Sequence, residues 1–158
     1  MKVLVFHIGL ERYALPLAAI ARVLPVARLT ALPGAPHFVP GLLDLHGEAI
    51  PVIDLSKLAG SPSDAVRYDT RILLVEVAAC GRMRRLGLKA ERVSGVADLA
   101  GPLAEAGVNA APWLGRVASD PAAEPGRGML QLLEIERLLA PEIETLLFGA
   151  VGEPGVPA

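Results

Sequence analysis

The sequence predicts a mainly β protein built from two similar strand units with a few short helices. Two observations carry this: apolar runs of strand length bounded by Gly, Pro and Asn, and a weak internal repeat that aligns the two halves of the chain. VLVFHI (residues 3–8) answers ILLVEV (residues 72–77). ALPLAAIARV (14–23) answers GLKAERVSGV (87–96), with apolar matches at Leu15 and Leu88, Ile20 and Val93, Val23 and Val96. DLSKLA (54–59) answers EIERLL (134–139), each following an apolar strand, IPVI in one half and LQLL in the other. Gly41 before LLDL likewise answers Gly115 before RVA. The offset between equivalents widens along the chain, as loop insertions in the second half produce. Two copies of one unit imply two subdomains related by a pseudo-two-fold axis, with a groove between them.

Element by element, Gly9-Leu10-Glu11 joins the first two strands, His46-Gly47 the next pair, and Cys80-Gly81 a third. LAAIARV after Pro16 reads as one or two helical turns carrying Ile20 and Val23. Ser56 reads as the N-cap of SKLAG with Gly60 as its stop, and PEIETLLFG as a helix started by Pro141 and ended by Gly149. Residues 99–112, rich in Ala, Gly and Pro, read as loop. Residues 60–70 and 119–128 read as mobile loops, and residues 149–158 as a disordered tail behind a single domain over 1–148.

The 158 residues suffice for one domain with a substantial core. Hydrophobic residues make up 53%, charged residues 20%, and mean hydropathy is +0.47. No apolar run approaches the roughly 18 to 20 residues of a membrane helix, so the excess belongs in a core or on partner surfaces. MKVLVFHIGLERY reads as a strand rather than a signal peptide, and the single cysteine, Cys80, suits a reducing, cytoplasmic compartment. A net charge of −2 and 4% aromatics argue against a nucleic-acid binder, and Arg82, Arg84 and Arg85 read as a solvated patch.

Chemistry is sparse. His7, His37, His46 and Cys80 show no zinc spacing. Asp44 and Glu48 flank a tight turn, and Asp54 precedes a short helix whose dipole favours a carboxylate. No nucleophile elbow, phosphate-binding loop or dinucleotide fingerprint occurs. The reading is therefore not an enzyme, with no cofactor and no metal. A small metal-binding or catalytic barrel using Asp44, His46 and Glu48 is the alternative, and a nucleic-acid-binding barrel the third.

GLLDLHGEAIPVIDL (41–55) closely resembles the central signature of CheW-like chemotaxis coupling proteins, approximately G-[VI]-x-N-L-R-G-x-[IV]-[IV]-P-V-[IV]-D-L. In family order, FHIGLERYALPLAAIARVLPV resembles the opening hairpin and helix, LTALPGAPHFVPG the proline-rich approach, RILLVEV through RLGLKAERVSGV the middle strands, and MLQLLEIERLL the closing strand. The resemblance covers nearly all of residues 2–148. It implies two five-stranded SH3-like β-barrel subdomains and a non-enzymatic, cytoplasmic adaptor at membrane receptor arrays. The implied partners are a chemoreceptor signalling tip, docked in the groove, and the regulatory domain of a CheA-type histidine kinase, docked at barrel ends. Self-association through the same faces is compatible with this; nucleic-acid binding and direct membrane insertion are not expected. By the resemblance, Ile20, Val23, Val93 and Val96 match apolar groove positions, and Gly41, Asp44 and Glu48 belong to the signature hairpin. Two positions depart from the pattern: His46 stands where the family usually has arginine, and Arg22 where it usually has glutamate. Arginine is a permanently charged fork of donors whereas histidine titrates near neutrality, so these departures predict altered partner choice, as in a dedicated non-motility pathway.

Overall fold

The first strand, β1 (Lys2–Ile8), is a continuous apolar run rather than an alternating one because both its faces are covered. In the computed structural model, which describes residues 1–61, 69–99, 101, 103–104, 111–120, 123–126 and 128–149, Val3 and Val5 join one apolar cluster while Leu4, Phe6 and Ile8 join another. The remaining elements are β2 (Glu11–Pro16), β3 (Ile20–Pro25), β4 (Gly41–Leu45), β5 (Glu48–Asp54), α1 (Leu55–Leu58), β6 (Arg71–Ala79), β7 (Arg82–Asp98), β8 (Leu114–Ser119), β9 (Met129–Leu133) and α2 (Pro141–Phe148). β6 repeats the behaviour of β1: Ile72 and Leu74 face a third cluster with Leu43, Ile50 and Val52, while Leu73, Val75 and Val77 enter the cluster shared with Leu4, Phe6 and Ile8. The shared cluster is a central core, and the other two are the interiors of two barrels.

The first barrel runs end of β7, β1, β2, β9, β8. The second runs β3, β6, start of β7, β5, β4, with the same sequence of antiparallel and parallel pairings. Each is closed by an equivalent bridge, Ala104 to Val117 in the first and Thr30 to Leu42 in the second. The five-stranded SH3-like architecture expected from the resemblance is present twice. The repeat, however, is not the barrel. β5 of the first half pairs in parallel with β7 of the second at Val52–Gly87, and β9 of the second half pairs in parallel with β2 of the first at Ala14–Leu132. β3 lies on β6, and the end of β7 lies on β1. Each barrel is thus a hairpin from one half completed by three strands from the other.

β7 makes this possible. Its 17 residues serve the second barrel through Ala90 and the first from Glu91 onward. The switch occurs at a bulge, where Arg92 adopts φ 48° and the register against β1 jumps between Val5–Gly95 and His7–Glu91. His7 Nδ1 lies 3.1 Å from the Arg92 carbonyl, which it serves as donor in the Nδ1–H tautomer. On the neighbouring β2, burial pushes the Tyr13 hydroxyl pKa up, the Glu11 charge adds to this, and a hydrogen bond with the Gln131 side chain opposes it.

Two local expectations are corrected. LAAIARV is not a helix: only Leu17–Ala19 makes a single 3-10 turn, and Ile20 and Val23 lie on β3. β-branched residues beside the open edge of β6 gain ladder hydrogen bonds there, which outweigh the helical preference of the alanines. Asp54, not Ser56, caps α1, accepting from the Ser56 and Lys57 amides at 3.0 and 3.3 Å. The helix ended by Gly149 forms as expected over Pro141–Phe148. The expectations for residues 62–68, most of 99–112, parts of 119–128 and 150–158 lie outside the described residues.

Because neither half contains a complete barrel, fragments 1–61 and 69–149 should each lack a cooperative unfolding transition when expressed alone and should regain one when co-expressed. Circular dichroism melts of the separate and combined fragments check this; independent folding of either would contradict the exchanged pairing.

Candidate partner-binding surface

β3 and the end of β7 occupy equivalent outer positions, one on each barrel. On β3, Ile20 opposes Val75 and Val23 opposes Leu73 across a register shift between Ile20 and Arg22. On β7, Val96 opposes Leu4, and the Val93 amide donates to the Asp69 carbonyl at 2.9 Å. The four apolar residues divide into two pairs. Ile20 and Val93 are half-buried against the central core. Val23 and Val96 are 46% and 56% exposed and belong to no apolar cluster. Ile20 and Val93 therefore seal the core between the barrels, while Val23 and Val96 present apolar surface outward from matching strands. Arg22, exposed between Ile20 and Val23, has no ion-pair partner among the described residues.

The signature hairpin turns at His46 and Gly47, with φ 50° and 89°, so the pair forms a two-residue turn with both residues left-handed. Asp44 Oδ1 accepts from the Gly47 amide at 2.9 Å, which explains an acid at that position without any catalytic role. Glu48 lies 3.6 Å from Arg85 of the neighbouring β7, both about half exposed, a pairing of little energetic weight. His46 projects from the turn into solvent. Among the described residues no three of His, Cys, Asp and Glu gather as a metal centre.

Gly41 is held by the backbone. It is buried at φ 153°, and a Cβ there would lie 2.3 Å from the Thr30 carbonyl oxygen that closes the barrel through the Thr30–Leu42 bridge. Asp54 is equally fixed: 1% exposed, it caps α1 and lies 3.5 Å from Lys89 Nζ, itself 15% exposed. Sequence reasoning placed Asp54 at a helix start but gave no signal for its cation, since Lys89 is brought beside it only by the parallel β5–β7 register.

These features define a double-barrel protein that presents Val23 and Val96 at equivalent outer positions of its two barrels. A family model described as the CheW-like domain matches residues 2–142, and the chain belongs to that family. It is 28% identical to the chemotaxis protein CheW of Klebsiella aerogenes over 140 residues, 88% of this chain and 81% of that one. It is 31% identical to protein PilI of Pseudomonas aeruginosa over 71 residues, 45% of this chain, and that alignment spans only 40% of PilI. To CheW of Thermotoga maritima it is 30% identical over 95 residues, 60% of each chain. The crystal structure of the scaffolding protein TtCheW from Thermoanaerobacter tengcongensis superposes with a TM-score of 0.75 at 25% identity, covering 88% of this chain and 87% of that one. The resemblance read from the signature and the double-barrel fold are both supported by these matches.

Two stability outcomes follow. Gly41→Ala should lower the unfolding free energy by at least about 2 kcal/mol, because the new Cβ must push against backbone. Asp54→Ala should cost about 3 kcal/mol or more by leaving the Lys89 ammonium unpaired and α1 uncapped. Urea unfolding curves against wild type measure both.

Proposed function

We propose that this chain is a non-enzymatic adaptor that couples chemoreceptors to a CheA-type histidine kinase, in the cytoplasm beneath membrane receptor arrays. The observation that carries the reading is the pair Val23 and Val96, exposed apolar side chains at equivalent outer positions of two barrels joined by one core. Isolated surface valines need no explanation, but a matched pair offers a divided apolar surface for an elongated partner. Ile20 and Val93 support that surface from beneath. Membership of the CheW-like family and the CheW relatives favour this partner set; the departures at Arg22 and His46 favour a dedicated, non-motility pathway. No helix among the described residues is long and apolar enough to cross a membrane.

Arg22 and His46 tune partner choice in this reading. Both lie on the second barrel, both are exposed, and each changes the charge the family pattern supplies. Asp44 and Glu48 flank His46 and set the charge around it.

Val23→Glu and Val96→Glu should each fold with stability within about 0.5 kcal/mol of wild type while weakening binding to the cognate receptor signalling tip at least about tenfold. Isothermal titration with the tip and with the kinase regulatory domain tests this. Wild-type protein that binds neither partner would refute the adaptor reading; variants that bind the tip as wild type would remove the valines from the site. His46→Arg and Arg22→Glu should weaken cognate binding, and unchanged or tighter binding would refute retuning.

A further inference from the structure

Residues 95–98 at the end of β7 pair with β1 alone, which leaves their outer edge open among the described residues. The register tells which backbone groups face that edge. The Leu99 amide donates to the Met1 carbonyl at 2.8 Å and the Met1 amine to the Leu99 carbonyl at 2.9 Å, so this pair exchanges both bonds. In an antiparallel ladder such pairs alternate with pairs that exchange none. Val3–Ala97 and Val5–Gly95 are therefore bonded pairs, and Lys2–Asp98 and Leu4–Val96 are not. Pro16 opposite Val3 on β2 agrees, since Val3 sends its backbone groups to β7 and asks no donor of the proline. The N–H and C=O of Val96 and of Asp98 thus point outward, and no described residue bonds them.

The counterpart strand in the second barrel is β3, which pairs with β6 alone. There Arg22 stands in the place of Gly95, Val23 in that of Val96 and Pro25 in that of Asp98. Proline at an outward position keeps the ladder to β6 whole and removes a donor from the free edge. Arg22 adds an exposed charge beside it. Both are devices that keep an edge strand from pairing with another chain. Each strand has a register shift, so that feature does not distinguish them. The end of β7 carries neither device: Gly95 has no side chain, Val96 is 56% exposed, and the one charge, Asp98, has its carboxylate 3.5 Å from the Met1 amine.

We propose that the outer edge of β7 at Val96 and Asp98 accepts an extended segment of a partner protein as an added strand. The occupant is selected by its backbone: the outward N–H and C=O groups alternate in partial charge, and an unpaired extended chain presents the complementary alternation at the same spacing. Its side chain opposite Val96 is β-branched or aromatic, the types that gain most from a cross-strand valine. The inference needs none of the adaptor's partners and stands apart from that reading.

The test is a titration of isotopically labelled full-length protein with a short capped peptide of alternating valine and threonine flanked by lysines, followed by amide chemical shifts and hydrogen exchange. The same peptide N-methylated at alternate residues, in either of the two frames, is the control, since one frame loses the donors that face the edge while every side chain is kept. In the free protein the Val96 and Asp98 amides should exchange fast and the Ala97 amide slowly. The peptide should shift and protect Val96 and Asp98 saturably, with a dissociation constant on the order of millimolar. One of the two N-methylated frames should bind at least about tenfold more weakly. Asp98→Pro, which copies Pro25 of β3, should weaken binding at least about tenfold, whereas Asp98→Asn, which keeps the amide and drops the charge, should bind within about threefold of wild type. Val96 and Asp98 amides already protected in the dilute free protein would overturn the proposal, as would protection that rises with protein concentration alone, which assigns the edge to a second copy. No saturable shift at these amides, or equal binding of the parent and both N-methylated peptides, would overturn it as well.

Discussion

The continuity of β7 is the constraint on which the rest of the structure depends. One strand of 17 residues completes part of one barrel and then, past the bulge at Arg92, part of the other. The barrels cannot be drawn apart without breaking a β-ladder, and the apolar faces of β1 and β6 that meet between them have no solvated alternative. The bulge is costly for an arginine in a left-handed conformation, and it persists because pairing on both sides fixes it. His7, a residue whose type invites a search for chemistry, is used at this crossing to meet the Arg92 carbonyl. The relative placement of Val23 on one barrel and Val96 on the other is consequently fixed by the fold, and in the proposed adaptor a surface set before any partner arrives lowers the ordering cost of binding.

Duplication separates what the fold demands from what it leaves open. The central core matches pair by pair: Leu4 with Leu73, Phe6 with Val75, Leu15 with Leu88, Ile53 with Leu133, Leu55 with Ile135. Every one of these lies on the inter-barrel side, where a change in one copy is felt by the other. Around the barrels the copies diverge. Asp54 pairs across strands with Lys89, 15% exposed, whereas its repeat equivalent Glu134 pairs with Arg137, 68% exposed and three residues on. The second barrel alone carries the departures Arg22 and His46. The two barrels thus share a scaffold and present different chemistry.

Much of this was legible in the sequence. The repeat follows from apolar runs that cannot be strands exposed on one face, and the turns at His46-Gly47 and Cys80-Gly81 follow from their need for positive φ. Which half supplies which strand was not legible, because an apolar run records that two faces are covered and not by what. The β3 segment failed for a related reason: the alanines beside Ile20 and Val23 favour a helix until β6 is present to pair with. Ser56 and Asp54 are both good caps by type. Asp54 holds the position because it ends β5 in an extended conformation, φ −85° and ψ 108°, and only a residue outside the helix can fold its side chain back onto the first amides. In the candidate surface, four valine and isoleucine positions were read as equivalent. The register shift between Ile20 and Arg22 sets Ile20 opposite Val75 and Val23 opposite Leu73, on one sheet face, so the difference is how far the core extends along that face: it covers Ile20 and Val93 and leaves Val23 and Val96 exposed.

The signature stretch from Gly41 to Leu55 contains two kinds of position, and their physics differs. Gly41 has no freedom, since any side chain meets the Thr30 carbonyl, and Asp54 has little, since it caps a helix and neutralises a buried ammonium. His46 has a great deal. Its left-handed backbone is set by the two-residue turn, and arginine takes nearly the same φ at Arg92, while the His46 side chain is exposed. Arg22 is similarly free on its strand. Exchanging cation for titratable group at one and acid for base at the other therefore leaves the fold unmoved. A stretch of this kind can keep its architecture through Gly41 and Asp54 while the charge offered to a partner changes at His46, with no compensating change in the core.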